Sequence, residues 1–180
     1  MAAIEHESGS GKSRVRVDIG GTGQSNVATG LSVLDNLLAL LAAYASFDLA
    51  LELAPGDADE EVAAAGRSLG DALTAPLRTD GARGHGSAIA LADEALAQVV
   101  LEVSGRPLVV SNVDLSDARI GGLGSDVLAR FLDELAEAAG LTLHVRLVEG
   151  AEADHVLKAI FKALGVALAE ACRARPGREG

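Results

Sequence analysis

Two short runs hold most of the side chains able to do chemistry. In Glu152-Ala153-Asp154-His155-Val156-Leu157-Lys158 a carboxylate, an imidazole and an ammonium follow one another within two helical turns. Asp59 and Glu60 place two more carboxylates side by side in the first half of the chain. Carboxylate oxygens and neutral imidazoles are what a divalent cation takes, magnesium and calcium preferring the oxygens. Asp59, Glu60 and Asp154 could supply a hard-oxygen site of that kind. Lys158 counts against it, because an ammonium four residues after Asp154 competes for the same carboxylate and suits a surface ion pair. The charge pattern favours a solvated acidic cluster. His155 alone reads as an ordinary polar residue, His85 falls in a Gly-rich loop, and His6 lies close to the start.

The elements that must position these groups follow from hydropathic period. Residues 15–19 alternate as a half-buried strand does, and a Gly20–Gly23 turn follows. Apolar residues at helical spacing predict a helix over 31–45. Period two returns over 47–53, and Pro55-Gly56-Asp57 ends it. A second helix is predicted over 62–77, with Pro76 near its end. The order then repeats: strands over 99–103 and 108–113, a helix over 125–139 opened by Ser125 as cap and stopped by Gly140, a strand over 141–147, and a last helix over 154–172. Residues 1–12 are expected to be a flexible N-terminal tail and 173–180 a C-terminal one.

The repetition is numerical. Leu34, Leu38, Leu41, Leu49, Leu53 and Gly56 have counterparts in Leu128, Leu132, Leu135, Leu143, Leu147 and Gly150, each 94 residues on. Leu69-Gly70-x-Ala72-Leu73 is matched 95 residues on by Leu164-Gly165-x-Ala167-Leu168. Matched order, breakers and spacing together indicate an internal duplication. Two copies suit a fused pair of α+β halves, here 13–94 and 95–172, better than a solenoid.

Composition narrows the function. The chain of 180 residues is 49% apolar with only 2% aromatic, so its core is aliphatic. A net charge of −11 repels phosphate backbones, and few rings are present for bases to stack on, so nucleic acid is not an expected partner. No run of about 18 uncharged apolar residues exists to cross a membrane. The acidic start does not read as a signal peptide. Cys172 is the single cysteine, which leaves no intrachain disulfide and fits the cytoplasm.

Ten segments in register resemble the imidazoleglycerol-phosphate dehydratase family. They include Gly21-Thr22-Gly23, Thr29-Gly30-Leu31, Val33 to Leu38, Phe47-Asp48-Leu49, Gly56-Asp57 and Gly66 to Leu73. Downstream come Asp93 to Leu96, Ser104-Gly105-Arg106-Pro107, Leu143 to Arg146 and Phe161-Lys162-Ala163-Leu164. Together they reach across nearly the whole chain. The resemblance implies an α+β fold of two duplicated halves, with helices packed between two four-stranded sheets. It also implies trimers that assemble into a 24-subunit shell with manganese at the joints. The family removes water from imidazole glycerol phosphate in histidine biosynthesis, through an imidazolate-like intermediate stabilised by two metals.

The family's metal ligands, carried over one by one, fall on Asn36, Tyr44, Asp59, Glu60, Ala63, Asp154, His155 and Lys158. The family has histidine or glutamate at all eight, and this chain keeps only His155. No manganese is therefore expected, and little or no dehydratase activity, although manganese would be needed if that activity were kept. The resemblance assigns Arg106 and Lys162 to the substrate phosphate. A third family arginine falls on Gly84, beside Arg83, and His144 matches a strand residue without a metal role. Arg106 also has a structural reading, its guanidinium bonding backbone carbonyls at a turn. Three readings stand: a metal-free homo-oligomer binding a phosphorylated small molecule, a working dehydratase with rearranged ligands, and an enzyme of new chemistry built on the acidic cluster and Lys158. Without metal, a trimer is expected in preference to the 24-subunit shell.

Overall fold

The computed structural model describes residues 2–8, 11–118, 123 and 126–177. The first half runs β1 (Ala2–Ser8), β2 (Gly11–Asp18), β3 (Ser25–Ala28), α1 (Ser32–Ala45), β4 (Asp48–Glu52) and α2 (Ala58–Arg78). The second runs β5 (His85–Ala92), β6 (Ala95–Val103), β7 (Leu108–Ser111), α3 (Val127–Ala139), β8 (Leu141–Glu149) and α4 (Ala153–Cys172). Each half builds a four-stranded sheet of one topology, β1-β2-β4-β3 and β5-β6-β8-β7. In both, only the last pairing is parallel. The duplication legible in the sequence is thus a duplication of fold.

Strand alternation sets the inner faces. Val15 and Val17 of β2 point inward with Leu49 and Leu51 of β4, while Val99 and Leu101 of β6 do so with Leu143 and Val145 of β8. The helices fill the space between the sheets. α2 lies on β1 and β2, and α4 on β5 and β6. The shorter helices cross over: α1 packs on α4, and α3 on α2. Phe131 of α3 and Phe161 of α4 meet at 5.1 Å between ring centroids, among the few aromatic side chains of a leucine-rich core.

Glycine makes the crossings close. A Cβ on Gly70 would sit 2.9 Å from the Leu135 carbonyl oxygen of α3, and one on Gly165 would collide with the Leu41 carbonyl of α1. Leu41 and Leu135 are counterparts in the repeat, as are Gly70 and Gly165. The two contacts are one contact made twice.

Just past the C-terminal end of α1, Asp48 ties down the Gly20–Gly23 turn. Its Oδ1 accepts the backbone N–H groups of Thr22, Gly23 and Gln24 at 2.8, 3.1 and 3.0 Å. These donors, that of Gln24 first, hold the carboxyl below its ordinary range.

Several expectations need correction. Residues 2–8 form a strand in full register with β2, so this part of the expected N-terminal tail is an edge strand of the first sheet. The division at 94 falls inside a hairpin: β5 belongs to the second sheet, and the halves meet in the 79–84 connection. The Gly-rich loop around His85 is the start of β5, and β3 was too short to register as a period. α2 begins a turn before 62, because Asp57 caps it by accepting the Glu60 N–H at 2.9 Å. Part of the expected C-terminal tail lies along the connection, with Arg83 N–H on Arg173 O at 2.8 Å and Arg175 N–H on Gly81 O at 2.7 Å. Ser125 lies outside the described residues. Among those described, no helix is long and apolar enough to cross a membrane.

Candidate functional site

α4 starts without a capping side chain of its own. The turn between β5 and β6 lends it one. Glu94 Oε1 accepts the Glu152 N–H at 3.0 Å, and Glu94 Oε2 lies 2.6 Å from His155 Nδ1. The other ring nitrogen, Nε2, stands 3.3 Å from Asp93 Oδ2. Asp93 reaches that place in a left-handed conformation, φ +51°, which non-glycine residues seldom adopt. One turn further on, Lys158 Nζ is 2.6 Å from Asp154 Oδ2.

The electrostatics follow from these contacts. The Glu152 N–H, and then His155, bring the Glu94 carboxyl down to about 2. Glu94 in turn raises the His155 imidazole above its ordinary range against the opposing effect of desolvation. Asp154 raises the Lys158 ammonium, with Asp93 adding to it through space. Lys158 therefore feels Asp154, its ion-pair partner, and Asp93, which faces the outer nitrogen of the imidazole.

The remaining candidate positions lie in other neighbourhoods. Asp59 and Glu60 are exposed on the first turn of α2, where carboxylates suit the positive end of the helix dipole. Ala63, on the next turn, is buried in the core side of α2. Asn36 is exposed on α1. Tyr44, on the last turn of α1, is half exposed and has Lys162 Nζ 5.2 Å from its ring centroid. Lys162 also donates to the Leu91 carbonyl at 3.1 Å. Among the described residues no three His, Cys, Asp or Glu side chains converge as a metal cage would need.

Arg106 sits in a turn that its backbone secures. Its N–H donates to Ser104 Oγ at 3.0 Å, and its carbonyl accepts from Thr142 Oγ1 at 3.2 Å. Its guanidinium is exposed and bonds no backbone carbonyl among the described residues. Arg83, at the same end of the second sheet, pairs with Glu170 at 2.8 Å. Arg106 follows the end of β6 beside His85, whereas Lys162 reaches Leu91 near the far end of β5. Six strand residues separate those ends, roughly 20 Å. One chain does not bring Arg106 and Lys162 together.

Sequence reasoning passed over Asp93 and Glu94 as functional residues. Two acidic residues between the alternating runs 85–92 and 95–103 were the signal for a hairpin turn, and a hairpin of that length returns its tip to the start of α4. Glu61 was also missed. It is buried, with Oε1 3.4 Å from the Gly56 nitrogen, and leaves no room for a Cβ on Gly30.

Comparison with known proteins bears on the whole chain. The family model for imidazoleglycerol-phosphate dehydratase matches residues 29–168. The imidazoleglycerol-phosphate dehydratase of Desulforudis audaxviator is 38% identical over 89% of this chain and 84% of its own length. That of Pelobacter propionicus is 35% identical over 99% of this chain and 94% of its own length. The crystal structure of the Staphylococcus aureus enzyme superposes with a TM-score of 0.87, covering 97% of this chain and 100% of that one at 26% identity. The Pyrococcus furiosus enzyme, solved in complex with (S)-C348, gives 0.81 over 98% and 97% at the same identity. Family model, full-length relatives and solved structures agree, and the chain belongs to the imidazoleglycerol-phosphate dehydratase family.

Proposed function

We propose that this chain is a homologue of the histidine-biosynthetic dehydratase that works without the two-manganese site, has little or no dehydratase activity, and keeps the family body as a homo-oligomer able to hold a phosphorylated small molecule. The observation that carries the reading is the start of α4. His155, the one histidine left at the family's ligand positions, has a carboxylate at each ring nitrogen, and the Lys158 ammonium lies against Asp154. Metal binding needs deprotonated ligands with free lone pairs, and a fixed ammonium beside them opposes a second cation. The residues as they stand do not fit manganese. Without a metal to stabilise the developing charge, a barrier rises by several kcal/mol, which is orders of magnitude in rate.

The separation of Arg106 from Lys162 supports the oligomer, because a phosphate site using both needs a second copy. The outer face of the second sheet supports it too. Ile89, Leu91, Val100, Leu108 and Val148 are exposed there beside Glu102, His144 and Arg146, while the described side chains of the matching face of the first sheet include Arg14, Arg16 and Glu52 and no exposed large apolar residue. A trimer closed through that apolar face requires no cation.

A working dehydratase with rearranged ligands is the second reading, favoured by identities of 35–38% to relatives of that name over most of the chain. One experiment separates the two. A histidine auxotroph lacking its dehydratase is expected not to grow when supplied with this gene, and the purified protein not to turn over imidazole glycerol phosphate. Growth with matching turnover would replace the first reading by the second.

A further inference from the structure

From Gly86 to Ala92, β5 reads Gly-Ser-Ala-Ile-Ala-Leu-Ala, without a charge or a proline, and it is an edge strand of its sheet. Uncharged edges of that length are templates for pairing with another chain. The register fixes which backbone groups the edge offers. Ala92 pairs with Ala95 across the Asp93-Glu94 turn, and such a closing pair exchanges both of its hydrogen bonds. By alternation Ala88 and Ala90 also bond β6, so the N–H and C=O groups of Ser87, Ile89 and Leu91 point away from the sheet.

α4 takes up two of them. Glu170 Oε2 accepts the Ser87 N–H at 2.8 Å, and Lys162 Nζ donates to the Leu91 carbonyl at 3.1 Å. The spacings agree, because the helix from 162 to 170 and the strand from 87 to 91 each cover roughly 12–14 Å. Each side chain is steadied by a second partner: Arg83 lies 2.8 Å from Glu170, and the Tyr44 ring centroid 5.2 Å from Lys162 Nζ. Two β5 strands laid antiparallel about Ile89 would join the Ser87 N–H of one to the Leu91 C=O of the other. The Glu170 carboxylate thus stands where that carbonyl would come, and the Lys162 ammonium where that N–H would come.

We infer that the outer edge of β5 is a strand-pairing surface for β5 of a second copy of this chain, and that Lys162 and Glu170 hold it closed. In the pair, Ile89 of each copy exchanges both backbone bonds with Ile89 of the other, and the exposed Ile89 and Leu91 side chains line one face. Removing both guards frees a self-complementary edge, and its two-fold symmetry joins the copies in pairs.

The test compares the full-length wild type with Lys162→Ala/Glu170→Ala over a concentration series, by light scattering behind a sizing column and by amide hydrogen exchange. The wild type is expected to exchange its Ile89 amide faster than that of Ser87, which Glu170 holds. The double variant is expected to rise with concentration to about twice the wild-type mass or beyond, with its Ile89 amide better protected than in the wild type. Adding Ile89→Pro, at a position whose N–H β6 does not use, should cancel the rise. Circular dichroism checks that each variant is folded. Should the double variant not fold, Lys162→Ala alone serves with the same readouts, since it leaves the Arg83–Glu170 pair in place. A mass equal to that of the wild type, a rise without protection of Ile89, or a rise that Ile89→Pro leaves intact overturns the inference.

Discussion

Single side chains show most plainly what local sequence can reveal. The Asp154–Lys158 pair was legible, because four residues along a helix is a contact by geometry alone. The partners of His155 were not, since Glu94 lies 61 residues earlier and reaches it only after a hairpin has folded. Arg106 went half and half: its turn was evident in Ser-Gly-Arg-Pro, but its backbone, not its guanidinium, turned out to be bonded. Asp48 is a further non-local device, and it yields a prediction. Its folded-state pKa is depressed, so its contribution is fully present above the ordinary 3.8 and is lost as pH falls through the lower, folded value. Asp48→Asn should therefore flatten the acid side of the stability profile while leaving the protein weaker at neutral pH. Urea midpoints followed from neutral to about the carboxylate range check this, and an unchanged acid slope would contradict it.

At the scale of elements, periodicity located all four helices within a turn, and glycines marked their ends: Gly140 closes α3 with φ +69°. What escaped was strand β1, strand β3 and strand β5. Their apolar content is low or alanine-rich, and they owe their conformation to neighbours, β1 pairing along its length with β2. The L-G-x-A-L repeat was legible as a repeat but not as a contact. Its meaning lies in the crossing helix, where the glycine lets a carbonyl approach. Gly165→Ala should accordingly cost about 1–3 kcal/mol by overpacking, despite the better helix propensity of alanine. Denaturant unfolding measures the change. A stabilised variant would show that α1 can shift away at no cost.

For the whole molecule, the two outer sheet faces differ although their topology is the same. Both carry charge, Arg14, Arg16 and Glu52 on the first and Glu102 and Arg146 on the second, but the second also exposes Ile89 and Leu91 at 63% each, apolar side chains that water-facing strands normally avoid. We predict a trimer as the main species at physiological salt, with no full shell, because carboxylates such as Asp59 and Asp154 would repel one another if brought together between trimers. Light scattering behind a sizing column should give a trimer mass, and Leu91→Glu should lower it to that of a monomer. A 24-subunit mass that survives chelator would defeat the argument. None of this was readable from composition, which averages the two faces into one number.

The crossing of helices between halves has a consequence for ancestry and folding. A solitary half would leave the inner face of its long helix uncovered, since the short helix that covers α2 comes from the second half and the one that covers α4 from the first. An unduplicated ancestor could thus have been whole only as two chains trading helices, each completing the other. Joining them by the 79–84 connection made that exchange internal and independent of concentration. The same interlock makes the halves poor candidates for separate folding units: contacts between α1 and α4 span most of the chain, so the entropy of closing that loop must be met before either core is complete.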